Sequence, residues 1–166
     1  MKFKLFILFS LVVIAIGLAG CGGTDSNGDP INRTSFLVNG GPKHQSYTSD
    51  IGFVHIGLPP SVSYTQDKND ITHNYLSIQV PTDVGPGKTY TQNDSSIGGF
   101  YVVYYNANGV RYQLDSTGTF SLKVTDWAGA GSVAKGNFSG TLVNESVLGD
   151  SVQITDGTFQ AFIHNN

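Results

Sequence analysis

This chain is short of the residues that staple, coil or charge a protein. One cysteine, Cys21, stands among 166 residues, so no disulfide within the chain is available and the fold must rest on its core. Glutamate occurs once, at Glu145, and charged residues amount to 13%. Long amphipathic helices draw on Ala, Leu, Glu and Lys, and this composition excludes them. Lys and Arg number 9 against 12 Asp and Glu, which leaves no basic footprint, so no nucleic acid is expected as a partner. The longest apolar run has ~15 residues where a spanning helix needs about 20, so none is expected.

What the chain has instead is glycine, 21 residues, and aromatic side chains, 11%. That is a profile of short strands and tight turns. The acidic residues other than Glu145 are all Asp, whose side chain bonds neighbouring backbone and favours turns, so the charge falls in loops.

Alternation of period two marks strands. It is clearest in Phe120, Leu122 and Val124, which point one way while Thr119, Ser121, Lys123 and Thr125 point the other. Residues 99–115 predict a hairpin around Asn106-Ala107-Asn108-Gly109, because an Asn-Gly corner supplies the positive φ that tight turns need. Phe100 to Tyr105 is apolar on both faces and predicts either a strand covered on each side or one with a partly exposed aromatic face. Residues 135–143 predict another strand, and 151–163 predict two short strands around a turn at Asp156-Gly157. Earlier strands are expected near Phe36, over Phe53 to Ile56 and over Tyr75 to Val80, separated by loops at Pro59-Pro60, 67–70 and 81–90. The sum is an all-β domain over 33–166, a single antiparallel β-sandwich of about eight to ten strands, with a β-barrel as the alternative.

Residues 1–20 have the layout of a secretory signal: Lys2 and Lys4, an apolar stretch from Leu5 to Gly17, then small residues. Leu18-Ala19-Gly20-Cys21 resembles the lipobox of bacterial lipoproteins. The resemblance implies cleavage before Cys21 and acylation of its thiol and new amino terminus. Two or three acyl chains hold a protein firmly on a membrane without spanning it. The segment 21–32, rich in Gly and small polar residues and carrying Pro30, reads as a flexible tether. Removal of the 20-residue signal from 166 leaves roughly 145 residues, one domain by length.

Three stretches, "PTDVGPGKTY", "GSVAKGNFSGTLVN" and "VQITDGTFQAFI", together resemble small uncharacterised lipoproteins of Bacteroidota. In that group a Gly-x-Phe-Ser-Gly-Thr-Leu strand precedes an Ile-Thr-Asp/Asn-Gly-x-Phe strand, here Gly136 to Leu142 and Ile154 to Phe159. The resemblance implies a β-domain and an envelope address; Gly22 and Gly23, where enterobacterial lipoproteins kept at the inner membrane carry Asp, favour the outer membrane, with its face open. It transfers no activity. Physically, Gly136 and Gly140 fit a bulge or a close backbone approach, while Phe138, Leu142, Ile154 and Phe159 read as core.

No catalytic constellation emerges. His44, His55, His73 and His164 lack zinc-ligand spacing. Asp67 to Asp70 lacks the glycine and terminal Glu of a calcium loop, and no Gly-x-Ser-x-Gly elbow occurs. No cofactor and no metal are expected. Asp115-Ser116-Thr117 and Asp150-Ser151-Val152 resemble the O-glycosylation pattern of Bacteroidota envelope proteins.

Tyr101, Tyr104, Tyr105, Tyr112 and Trp127 are the candidate ligand contacts, since exposed rings on a sheet stack on sugar faces, and Trp127 is the foremost among them. The expectation is a non-enzymatic binding or structural module of the envelope, with a glycan or an envelope protein as partner. A carbohydrate-binding accessory protein is the second reading, and a hydrolase with a site built across loops is the third.

Overall fold

The computed structural model describes residues 32–46, 61–67, 69–81, 84–96, 100–129 and 131–163. The signal segment expected over 1–20, Cys21 and most of the expected tether lie outside them, as do the strand expected over Phe53 to Ile56, Pro59-Pro60, His55 and His164.

Ten strands form: β1 Arg33–Val38, β2 Lys43–Ser46, β3 Ser61–Asp67, β4 Asp70–Gln79 and β5 Thr89–Thr91, then β6 Tyr101–Tyr105, β7 Arg111–Gln113, β8 Phe120–Asp126, β9 Val133–Val143 and β10 Ser151–Phe162. The one helical turn described is a 3-10 turn at Gln92–Ser96. Every pairing is antiparallel, in the order β2-β1-β10-β9-β7-β6-β4-β3, with β8 set against β9 and β5 against β8. The all-β antiparallel domain expected from the alternation is what forms. Its strands belong to one sheet that curls nearly into a barrel, an arrangement consistent with both the sandwich and the barrel expected.

The connectivity follows from β9, which is too long for one neighbour. Its amino-terminal part pairs with β8 and its end with β7, Gln113 opposite Val143. Strands β7 and β8 thus act as one interrupted run down the flank of β9, as β5 and β6 do beside them. Taken that way the chain is an up-and-down meander whose last strand, β10, returns to β1. The end strands β2 and β3 approach each other through rings: His44 meets the edge of Tyr64 with centroids 6.0 Å apart.

Alternation selects the inner face. Phe120, Leu122 and Val124 are buried, and so are Leu76 and Ile78 of β4, Val102 and Tyr104 of β6, and Phe138 and Leu142 of β9. Rings fill the interior: Phe36 meets Tyr64 edge-on at 5.0 Å, and Phe120 stacks on Phe138 at 6.2 Å. Residues 151–163 are one strand where two were expected. Asp156 takes a left-handed φ of 51°, and the register with β9 slips between Ile154 and Gly157. The Asp-Gly pair makes a bulge within a continuous ladder, because Phe138 packs into the space a side chain at 157 would need.

Gly136 and Gly140 serve the close approaches expected of them. A Cβ at 136 would stand 2.3 Å from the Phe159 ring, and one at 140 would stand 2.1 Å from the Thr119 carbonyl oxygen. The four hairpin tips that follow β1, β3, β6 and β9 gather at one rim of the sheet. Asn32 and Ile163 lie at the opposite rim, where the Phe162 amide donates to Asn32 Oδ1 at 2.6 Å.

Candidate functional site

The outer wall of β3, β4, β6 and β7 is laid out by the same alternation that fills the core. With Val102 and Tyr104 buried, Tyr101, Val103 and Tyr105 face outward and are partly exposed. The registers bring Tyr75 opposite Tyr105 and Gln79 opposite Tyr101, with Thr65 opposite Tyr75 on the next strand. On the other side Arg111 stands opposite Tyr105 and Gln113 opposite Val103. The outward positions around these rings (Ser61, Ser63, Thr65, Tyr75, Ser77, Gln79, Tyr101, Val103 and Tyr105) carry no formal charge, and the acids of β3 and β4, Asp67 and Asp70, stand at the tip that joins them.

One corner of this wall is a closed polar ring. Arg111 donates through Nη1 to Glu145 Oε2 at 3.4 Å and through Nη2 to the Tyr101 hydroxyl at 2.5 Å. That hydroxyl donates to Gln113 Oε1 at 2.7 Å, and Gln113 Nε2 donates to Glu145 Oε1, closing the circuit. The Arg111 and Glu145 side chains are 44% and 55% exposed, so the ion pair adds at most about 1 kcal/mol to stability. Its structural effect is directional, holding four polar ends in fixed positions beside the rings. Tyr75 and Tyr105 lie 6.4 Å apart with planes tilted by 47°, and Ser63 Oγ meets the Tyr75 hydroxyl at 3.4 Å.

The five aromatic residues singled out from the sequence do not share this wall. Tyr101 and Tyr105 are on it. Tyr104 and Tyr112 are core residues, 3% and 6% exposed, because they alternate inward with Val102 and Leu114. Their hydroxyls are held above the ordinary tyrosine range by burial, and Tyr112 donates to Asp150 Oδ2 at 3.2 Å. Trp127, just beyond β8, is half-buried against the core and lies off this wall. The sequence reading missed Tyr75, Arg111, Gln113 and Glu145. Tyr75 was recoverable, since it shares the face of Ser77 and Gln79, and so was Arg111, opposite Tyr105 across the hairpin.

Asp70 and Asp115 hold their own turns. At the β3–β4 tip Asp70 is pulled down to about 2, first by the Thr72 hydroxyl, then by the Thr72 amide and by His73. The hydroxyl of Thr72 and Oδ2 of Asp70 both meet Nδ1 of His73, at 3.0 Å and 2.7 Å. A relay base needs its acid on one ring nitrogen and its nucleophile on the other, so this cluster is a clasp for the turn. Asp115 is likewise lowered, by the Thr117 hydroxyl first and then by the amides of Gly118 and Thr117. Among the described residues no three His, Cys, Asp or Glu side chains gather as a metal set would, and no helix is long and apolar enough to cross a membrane. No protein-family model matches this chain, nor does any curated protein or solved structure.

Proposed function

We propose that this protein is a lipid-anchored module of the bacterial cell envelope, similar to the small lipoproteins of Bacteroidota, that binds a partner without catalysing a reaction. The address rests on Leu18-Ala19-Gly20-Cys21, preceded by Lys2, Lys4 and the apolar stretch. Acylation at Cys21 would hold the domain on the outer membrane through the segment 22–31. The observation that carries the binding role is the contrast between the two sides of one wall. Tyr104 and Val102 of β6 close the interior, while Tyr101 and Tyr105 of the same strand stand outside next to a fixed ring of Arg111, Gln113 and Glu145.

The test is expression of the full chain in a Bacteroidota host, with mass spectrometry of the amino-terminal peptide and protease added to intact cells. The expected peptide begins at Cys21 and carries acyl chains. A peptide beginning at Met1, or a free Cys21 thiol, would refute the anchor. Cleavage of the domain on intact cells would direct the search to extracellular partners, and protection to periplasmic ones.

A further inference from the structure

We propose that the outer wall of β4, β6 and β7 is a binding site for a neutral saccharide, with Tyr75 and Tyr105 as the stacking surface and Arg111, Gln113 and Glu145 as the hydrogen-bonding edge. The inference rests on the binding-module reading and names the class of ligand for that wall.

The chemistry of the wall sorts the ligand classes. A sugar ring presents an apolar C–H face and a rim of hydroxyls that each donate and accept. The C–H face requires an aromatic surface that is already in place, and Tyr supplies one at low entropic cost. Tyr75 and Tyr105 are side by side in one cross-strand row, partly exposed, with Arg111 next in the same row. The hydroxyl rim requires donors and acceptors within reach of that surface. Arg111 supplies only donors, the Glu145 carboxylate only acceptors, and Gln113 both. The mutual hydrogen bonds of these groups hold them oriented before any ligand arrives, which reduces the entropy lost on binding.

Charge excludes the rivals. Arg111 and Glu145 cancel, and the outward positions beside the rings, from Ser61 to Thr65, Tyr75 to Gln79 and Tyr101 to Tyr105, carry no charge, the acids of β3 and β4 being Asp67 and Asp70 at the β3–β4 tip. A phosphate or polyanion would require uncompensated cations. A cationic ligand would meet the guanidinium beside the carboxylate it seeks. An uncharged polyhydroxyl compound meets neither obstacle. The face runs across four paired strands, which suits a chain of sugars lying over it, one residue on the rings and its neighbours over Ser77, Ser63 and Gln113.

The experiment is saturation-transfer NMR on the full chain, held in a detergent without a sugar headgroup, with cello-, xylo-, manno- and laminarihexaose as probes. At least one hexasaccharide is expected to receive saturation. Tyr105→Ala is expected to weaken its binding by about tenfold, the loss of one stacking ring, while thermal unfolding stays cooperative. Tyr75→Ala serves as the second variant should Tyr105→Ala misfold. Binding unchanged in a folded Tyr105→Ala or Tyr75→Ala protein would overturn the site. No transfer to any of the four probes at millimolar concentration would overturn the saccharide class. The binding-module reading fails separately: amide spectra of the labelled chain that stay unmoved in a whole envelope extract would remove it too.

Discussion

His44 lies flat on Phe36, ring centroids 5.0 Å apart and planes 9° from parallel. Its other neighbours are the edges of Tyr64 and Tyr104, so the imidazole closes the gap between β2 and β3 from an apolar setting. Burial lowers its affinity for protons below the ordinary value of 6.5. The neutral ring is therefore the form the fold prefers, and the unfolded chain binds the proton more readily. Stability from this residue is complete above pH 6.5 and is lost as pH falls from there through the lowered value. Tyr64 and Tyr104, raised by burial, stay neutral throughout that window. Urea unfolding at pH 7.5 and pH 5.5 should show a smaller difference in His44→Phe than in the natural chain. An equal difference in the two proteins would show that His44 is not the sensor.

Gly136 and Gly140 of β9 set how closely that strand lies against its neighbours β8 and β10. Gly140→Ala places a methyl against the Thr119 carbonyl and Phe120 Cα, at a φ of 153°. Gly136→Ala meets the Phe159 ring and the Lys123 carbonyl oxygen. Each should cost about 1–3 kcal/mol, the usual penalty of overpacking. Gly85→Ala, with nothing within 4 Å of the new Cβ, is the matched control and should be near neutral. Denaturation midpoints of the three variants decide the point.

Tyr112 anchors the β9–β10 tip from inside. Its hydroxyl and Asn144 Nδ2, the latter at 2.8 Å, both donate to Asp150 Oδ2. Tyr112→Phe keeps the ring and should cost about 1 kcal/mol for the lost hydrogen bond. Tyr112→Ala also empties a core site and should cost about 3–5 kcal/mol. Chemical denaturation of the pair separates the two contributions.

The Arg111–Glu145 pair predicts the opposite scale. Glu145→Gln should change stability by less than about 1 kcal/mol, as exposed ion pairs do, and that small effect should shrink further in high salt. A loss of several kcal/mol on equilibrium unfolding would mean that the polar ring is a structural brace.

Trp127 is the single tryptophan, so its fluorescence reports one place. Packed against the core, it should emit to the blue of free tryptophan and shift red only on unfolding. The hexasaccharides that test the outer wall should leave its emission unchanged, because the wall is built by β4, β6 and β7 and Trp127 follows β8.

Short-range pattern made much of this fold legible. Phe120, Leu122 and Val124 declare their strand by alternation alone, and the Asn106 to Gly109 corner declares its hairpin. Illegible were the decisions taken by distant residues. Asp156-Gly157 has the composition of a turn, and only Phe138 on the neighbouring strand makes it a bulge. In the run from Tyr101 to Tyr105 every residue is apolar or aromatic, so the sequence left open which tyrosine points inward. The register with Leu76 and Ile78 settles it in favour of Tyr104. Tyr112 was the avoidable miss, since Arg111 and Gln113 on either side already turn it inward. Glu145 joins the site only because β9 ends beside β7, with Gln113 opposite Val143, a long-range pairing that no local pattern announces.

The placement of Asn32 and Ile163 at the rim opposite the hairpin tips also determines how the domain meets a mechanical load. A pull between Asn32 and the tips runs lengthwise along β1, whose ladders to β2 and β10 then share the force in shear. A pull between Asn32 and Ile163 would instead peel the same β1–β10 ladder apart one pair at a time, beginning at Arg33 and Gln160. A domain held through its amino-terminal segment and tugged at its far rim is loaded in the stronger of these two directions.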